Sequence, residues 1–159
     1  AWERFPMSHR YPARPALLLA ALALIAALPL PLAQGEPLVP MRLTPEELKW
    51  MPQPSGNLQA VMAGNQKETG LYMYRTRFPA NYRNRPHFHP DQRIVTVMSG
   101  TLYVGYGEKM DDSQMKALPA GSIFTEPPRQ PHYVWAKDGE VVIQVTGYGP
   151  SGTTQIEQK

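Results

Sequence analysis

From Gly70 onward the apolar residues come in short runs of about four to nine positions, each closed by Gly, Pro, Asp or Ser. "LYMYRTRF", "HFH", "RIVTVM", "TLYVGY", "QMKALP", "SIFTE", "HYVWA" and "EVVIQVTGY" follow one another in this way between Leu71 and Tyr148. Such runs are too short for helices. Their aromatic and β-branched content suits strands packed into a sandwich or small barrel. "PANYRNRP" (Pro79 to Pro86) reads as loop, and the Asp-Gly of "KDGE" (Lys137 to Glu140) as a hairpin turn. The chain carries no internal repeat, so one barrel is expected.

Upstream the pattern changes. "QGEPLVPMR" (Gln34 to Arg42) is Pro-rich and reads as an extended arm. In "TPEELKWM", Thr44 suits an N-cap, Pro45 a first helical position and Glu47 the far side of a capping box. A short helix or single turn ends before Pro52, and Pro52 to Asn57 is loop. Further upstream, Arg10 and Arg14 precede an uncharged Ala/Leu run from Ala16 to Leu30. This is the make-up of a secretory signal peptide. The run is short against the ~20 apolar residues a membrane span needs. Cleavage after Ala33 is expected, with "AWERFP" lying upstream of a start at Met7. The organisation is then 1–33 upstream residues and leader, 34–56 arm and short helix, 57–149 barrel, and 150–159 tail. The expected location is secreted or periplasmic, with no membrane attachment after cleavage.

Composition sharpens this. Pro and Gly number 18 and 12, as a turn-rich β fold requires. Cysteine is absent, which excludes disulfides, iron–sulfur clusters and thiolate chemistry. The net charge is +3, of which the leader contributes +2 (Arg4, Arg10 and Arg14 against Glu3), leaving about +1 for the rest. A basic surface for nucleic acid is therefore not expected.

The four histidines carry the candidate chemistry. His9 lies in the leader; the others are His87, His89 and His132. Residues i and i+2 of a strand share a face, so His87 and His89 point together and can share a metal through neutral nitrogens. His132 opens a second strand and can complete the set.

These segments resemble the cupin superfamily. Its first motif is H-x-H, an acidic residue three places on, and a strand ending in Gly; here His87, His89, Gln92 and Gly100 stand there. Its second motif is P-x-G, a short strand, a proline loop and a histidine; here Pro119, Gly121, Pro127, Pro128 and His132. The resemblance implies an all-β, single jelly-roll barrel with the short N-terminal helix and arm outside it. It also implies one divalent transition metal held by His87, His89, His132 and Gln92. Gln92 replaces the usual glutamate, and a bulge at Pro90-Asp91 would be needed to turn it inward. Asp91 is the inward carboxylate without that bulge, and Gln92 can otherwise serve by hydrogen-bonding a ligand histidine.

Three imidazoles and an amide leave the metal's charge uncompensated. That favours copper, highest in the affinity order, with Fe, Ni, Zn and Mn as the remaining possibilities. Glu126 and Asp91 are the carboxylates near the motifs and can move protons. Arg85, with Arg83, can pair a substrate carboxylate at the rim. Tyr72 with Tyr74, and Tyr133 with Trp135, share faces and read mainly as packing. Met73, Met98 and Met115 read as core rather than copper ligands.

The expected activity is oxidation of a carbohydrate, polysaccharide fragment or other small organic molecule with O2 or peroxide. The alternatives are a non-redox Zn/Ni isomerase or lyase, and a metal- or ligand-binding module without turnover. A homodimer is expected, since exposed sheet edges need covering.

Overall fold

The computed structural model describes residues 37–157. The leader, His9 and Gln34 to Glu36 of the arm lie outside the described residues. Eleven antiparallel strands form two sheets among those described. They are β1 (Met51–Pro52), β2 (Leu58–Ala63), β3 (Gly70–Phe78), β4 (Tyr82–Phe88), β5 (Arg93–Ser99), β6 (Thr101–Tyr106), β7 (Lys116–Pro119), β8 (Ile123–Glu126), β9 (His132–Ala136), β10 (Val141–Gly149) and β11 (Thr154–Gln155). One sheet runs β1-β2-β3-β10-β5-β8 and the other β11-β4-β9-β6-β7. The expected jelly roll is what forms. The T-x-x-E segment makes only a 3-10 turn, Pro45–Glu47, with the Thr44 N–H donating to Glu47 Oε2 at 2.7 Å.

Alternation fixes what faces inward. On β3, Tyr72, Tyr74, Thr76 and Phe78 are buried; on β10, Val141, Ile143 and Val145; on β5, Val95 and Val97. With Leu102, Val104, Phe124 and Val134 they form one core between the sheets. Each fully buried aliphatic side chain contributes roughly 1.5–3 kcal/mol. Tyr72 and Tyr74 stack at 5.9 Å between centroids, as their shared face predicts. Met98 is 40% exposed and belongs to the outer face, not the core.

Three local expectations are corrected. Pro79 to Pro86 is not all loop, because Tyr82 to Pro86 is the first part of β4, paired with β9. "KDGE" is not a hairpin. It carries the chain from β9 in one sheet to β10 in the other. The residues after Gly149 are not a free tail: β11 pairs with Phe88 and His87 of β4.

Candidate metal centre

A bulge on β4 creates the site. Its register with β9 advances from Asn84↔Val134 to His87↔His132, three residues against two. The extra residue changes the phase of alternation, so Tyr82 and Asn84 face inward before it and His87 and His89 after it. His132 at the start of β9 is the cross-strand partner of His87.

The three imidazoles converge. Ring centroids are 4.9 Å apart for His87–His89, 4.3 Å for His87–His132 and 5.1 Å for His89–His132. One nitrogen from each lies within 4.8 Å of the others. Their exposures are 4%, 4% and 1%, so water does not solvate these nitrogens freely.

Every ring is oriented by a backbone carbonyl. His87 Nδ1 lies 2.7 Å from Arg85 O, His89 Nδ1 2.6 Å from Gly152 O, and His132 Nδ1 3.1 Å from Gln130 O. A carbonyl can only accept, so each Nδ1 carries the proton and each Nε2 presents a lone pair. His132 Nε2 has no hydrogen-bond partner although buried. Among the described residues, His87 Nε2 has as hydrogen-bond neighbour only the Asn84 amide, at the 3.5 Å limit. Three lone pairs aimed at one point, one of them orphaned, fit a transition metal bound through imidazole nitrogen.

Electrostatics keeps the imidazoles ready. Burial pushes His87 down to about 4, helped by the neighbouring His132. Burial, then Arg93, does the same to His89, also to about 4. Both are neutral at neutral pH, as metal ligation demands.

The remaining predicted residues fall in different places. Gln92 is exposed and is not among the residues lining the histidine cavity. Pro90 and Asp91 form a bend in the connection from β4 to β5 rather than a bulge within a strand. His89, Asp91 and Arg93 are buried there and Gln92 is exposed. Asp91 is buried but does not join the histidines: its carboxylate accepts from the Tyr72 hydroxyl and stands 3.5 Å from Arg93 Nε. A Cβ at Gly147 would collide with that hydroxyl, so glycine makes room for the pair. The Arg85 side chain is exposed, and its contribution is the carbonyl that orients His87. Arg83 stacks on Trp135 at 3.6 Å and pairs with Asp112 at 2.8 Å, away from the cavity.

Glu126 is at the site. Its Oε1 lies 3.3 Å from His132 Nε2 and its Oε2 3.5 Å from both His89 Nε2 and Arg93 Nη1. Burial opposes its charge, but His132, His89 and Arg93 outweigh burial and hold the carboxyl at about 2. Arg93, opposite Glu126 in the β5–β8 ladder, was missed in the sequence. It also donates to Tyr74 Oη at 3.2 Å and to the Ser151 hydroxyl. The signal was available: Arg93 is two places from Asp91, in a strand whose other buried positions are Val95 and Val97.

The histidines, Glu126 and Arg93 line a cavity of about 300 Å³. Its other walls carry Gln53, Asn57, Gln59, Lys67, Tyr82 and Phe124, among others.

The model of the AraC-like ligand binding domain family matches residues 68–153. Among curated proteins no sequence matches the chain. An RmlC-like cupin from Shewanella frigidimarina NCIMB 400 is 19% identical with a TM-score of 0.55, over 67% of this chain and 89% of that one. The polyketide cyclase RemF from Streptomyces resistomycificus is 12% identical with a TM-score of 0.63, over 76% and 88%. An oxalate oxidase solved with the substrate analogue glycolate is 23% identical with a TM-score of 0.50, over 65% and 57%. These likenesses establish the shared barrel. With more than half its length matched and its histidines gathered inside a cupin barrel, the chain belongs to the AraC-like ligand binding domain family, within the cupin superfamily.

Proposed function

We propose that the protein is a secreted, mononuclear metal-dependent oxidoreductase acting on a small hydroxyl-rich molecule, a sugar or sugar acid, with O2 or peroxide as oxidant. The observation that carries this reading is the convergence of three Nε2 lone pairs on a cavity, each secured by an Nδ1–carbonyl contact. A redox ion held there supplies electron transfer and Lewis acidity. The fold does not choose the reaction, since a cyclase and an oxidase share it.

The cavity walls support the substrate class. Amides of Gln53, Asn57 and Gln59 both donate and accept, as hydroxyl recognition requires. Lys67 is the lining cation not already shared between Glu126 and Asp91, and it can pair a sugar-acid carboxylate. Tyr82 and Phe124 offer apolar surface. At about 300 Å³ the cavity is at the lower end of the roughly 300–1,000 Å³ that ligand pockets span. It suits one ring or a short acid rather than a polysaccharide segment.

The sequence favours copper only where an amide completes the ligand set. Gln92 is exposed and an ionised Glu126 stands beside the histidines, so that ground is removed. Copper stays in the proposal on the affinity order alone, beside iron.

The test is metal analysis of exported protein, with N-terminal sequencing, followed by O2 uptake and peroxide consumption with a panel of aldoses and uronic acids. The expected result is one copper or iron per chain, cleavage near Ala33, and substrate-dependent oxidant consumption lost in His132→Gln. Zinc or nickel with turnover but no oxidant would replace this reading by a lyase or isomerase. Ligand binding without turnover would replace it by a binding module.

A further inference from the structure

We infer that Glu126 is itself a ligand of the metal, so that the centre's carboxylate comes from β8, the strand beside the one that continues the H-x-H segment. The inference rests on the metal-centre reading above and goes beyond it in naming the fourth donor.

Four observations carry it. First, Glu126 is only 6% exposed, and its two oxygens face two histidines: Oε1 is 3.3 Å from His132 Nε2 and Oε2 3.5 Å from His89 Nε2. Second, toward His132 and His89 those distances are those of neighbours on one ion, while Glu126 stands outside the group of His87, His89 and His132 whose nitrogens lie within 4.8 Å of one another. Metal–nitrogen bonds of ~2.0–2.1 Å, at tetrahedral or octahedral angles, place adjacent donors roughly 3.0–3.5 Å apart. Third, the contact is close without being a formed hydrogen bond: His132 Nε2 is buried and makes none, although Glu126 Oε1 stands 3.3 Å away. A ring nitrogen and a carboxylate oxygen held side by side in this way can both ligate one ion.

Fourth, the carboxylate is held in place. Arg93 is its cross-strand partner, with Nη1 3.5 Å from Oε2, and is anchored in turn by Tyr74 and Ser151. Arg93 is therefore a positioning residue. It occupies the inward place on β5 after Asp91, and the carboxylate it holds sits opposite on β8.

The test uses the full chain loaded with Co²⁺, whose visible absorption reports its ligands, with affinity measured by chelator competition. Glu126→Gln is nearly isosteric. The expected result is a changed Co²⁺ spectrum and an affinity weakened by more than about tenfold. A spectrum and affinity matching wild type would overturn the inference. Should Glu126→Gln fail to fold, a crystal structure of metal-loaded wild type decides. A carboxylate oxygen at bonding distance, ~2.0–2.2 Å for Zn²⁺, supports it. A water between Glu126 and the metal overturns it. Failure of wild type to bind any metal would instead remove the metal centre itself, a result distinct from a wild type that binds metal without Glu126.

Discussion

Arg93 and Glu126 face each other across the β5–β8 ladder, with a guanidinium nitrogen 3.5 Å from a carboxylate oxygen and both side chains buried against the histidines. Arg93 also stands 3.5 Å from Asp91, so one cation serves two buried carboxylates. Removing it leaves both without compensation. Arg93→Met is expected to destabilise the metal-free protein by about 3–5 kcal/mol, the usual cost of breaking one partner out of a buried ion pair. Urea denaturation measures it. A loss below about 1 kcal/mol, the level of an exposed pair, would mean that water reaches the pair.

Acid should unfold the metal-free protein early. His87 and His89 titrate near 6.5 when unfolded but are held at about 4 in the fold. Between those values the unfolded chain binds more protons, so stability is complete above about pH 6.5 and declines as pH falls toward 4. Glu126, held at about 2 against an ordinary 4.5, extends the loss below pH 4.5 with the same sign. The decline by pH 4 should be on the order of a few kcal/mol. It is read from urea midpoints of chelator-treated protein at several pH values. His87→Gln should flatten the profile, whereas a wild-type profile already flat from pH 7 to 4 would contradict the buried neutral imidazoles.

Gln92→Glu should do almost nothing. An exposed added charge is worth at most ~1 kcal/mol, so metal affinity should change by less than about fivefold. The Co²⁺ spectrum should be that of wild type. A shifted spectrum would place Gln92 back in the coordination sphere.

We propose that two copies pair through the outer face of the six-stranded sheet. Ile94 and Ile123, on adjacent strands β5 and β8, are 56% and 65% exposed, and Met98 and Tyr148 extend the apolar surface. Light scattering should report a dimer at micromolar concentration, and Ile94→Lys with Ile123→Lys a monomer. A wild-type monomer would refute the pairing.

The strands from β5 to β10 were legible as short apolar runs closed by turn residues; β5, β8 and β10 bury alternate positions, while β9 is buried almost throughout. The early part of β4 was not, because Arg83, Asn84 and Arg85 make it polar and Pro86 interrupts it. Its hydrogen bonding to β9 prevails over composition. The His87 and His89 pair announced itself through spacing alone. Gln92 lies elsewhere than expected because the bulge lies before His87, and Pro90-Asp91 is a bend carrying the chain from β4 to β5. Glu126 was noticed as an acid near the motif, but nothing local in "SIFTEPP" reveals its cross-strand partner. That depends on β5–β8 register, a long-range fact.

The short strand β11 and the three residues before it have a temporal meaning. Gly152 supplies the carbonyl that sets the tautomer of His89, 63 positions earlier, and Ser151 anchors Arg93. During synthesis this segment emerges from the ribosome after all three histidines. A nascent barrel can therefore gather its imidazoles yet leave one free to rotate until β11 threads beside β4. Metal capture then waits on this segment, and a cut between β10 and Gly152 would disarm the centre while leaving the other strands whole.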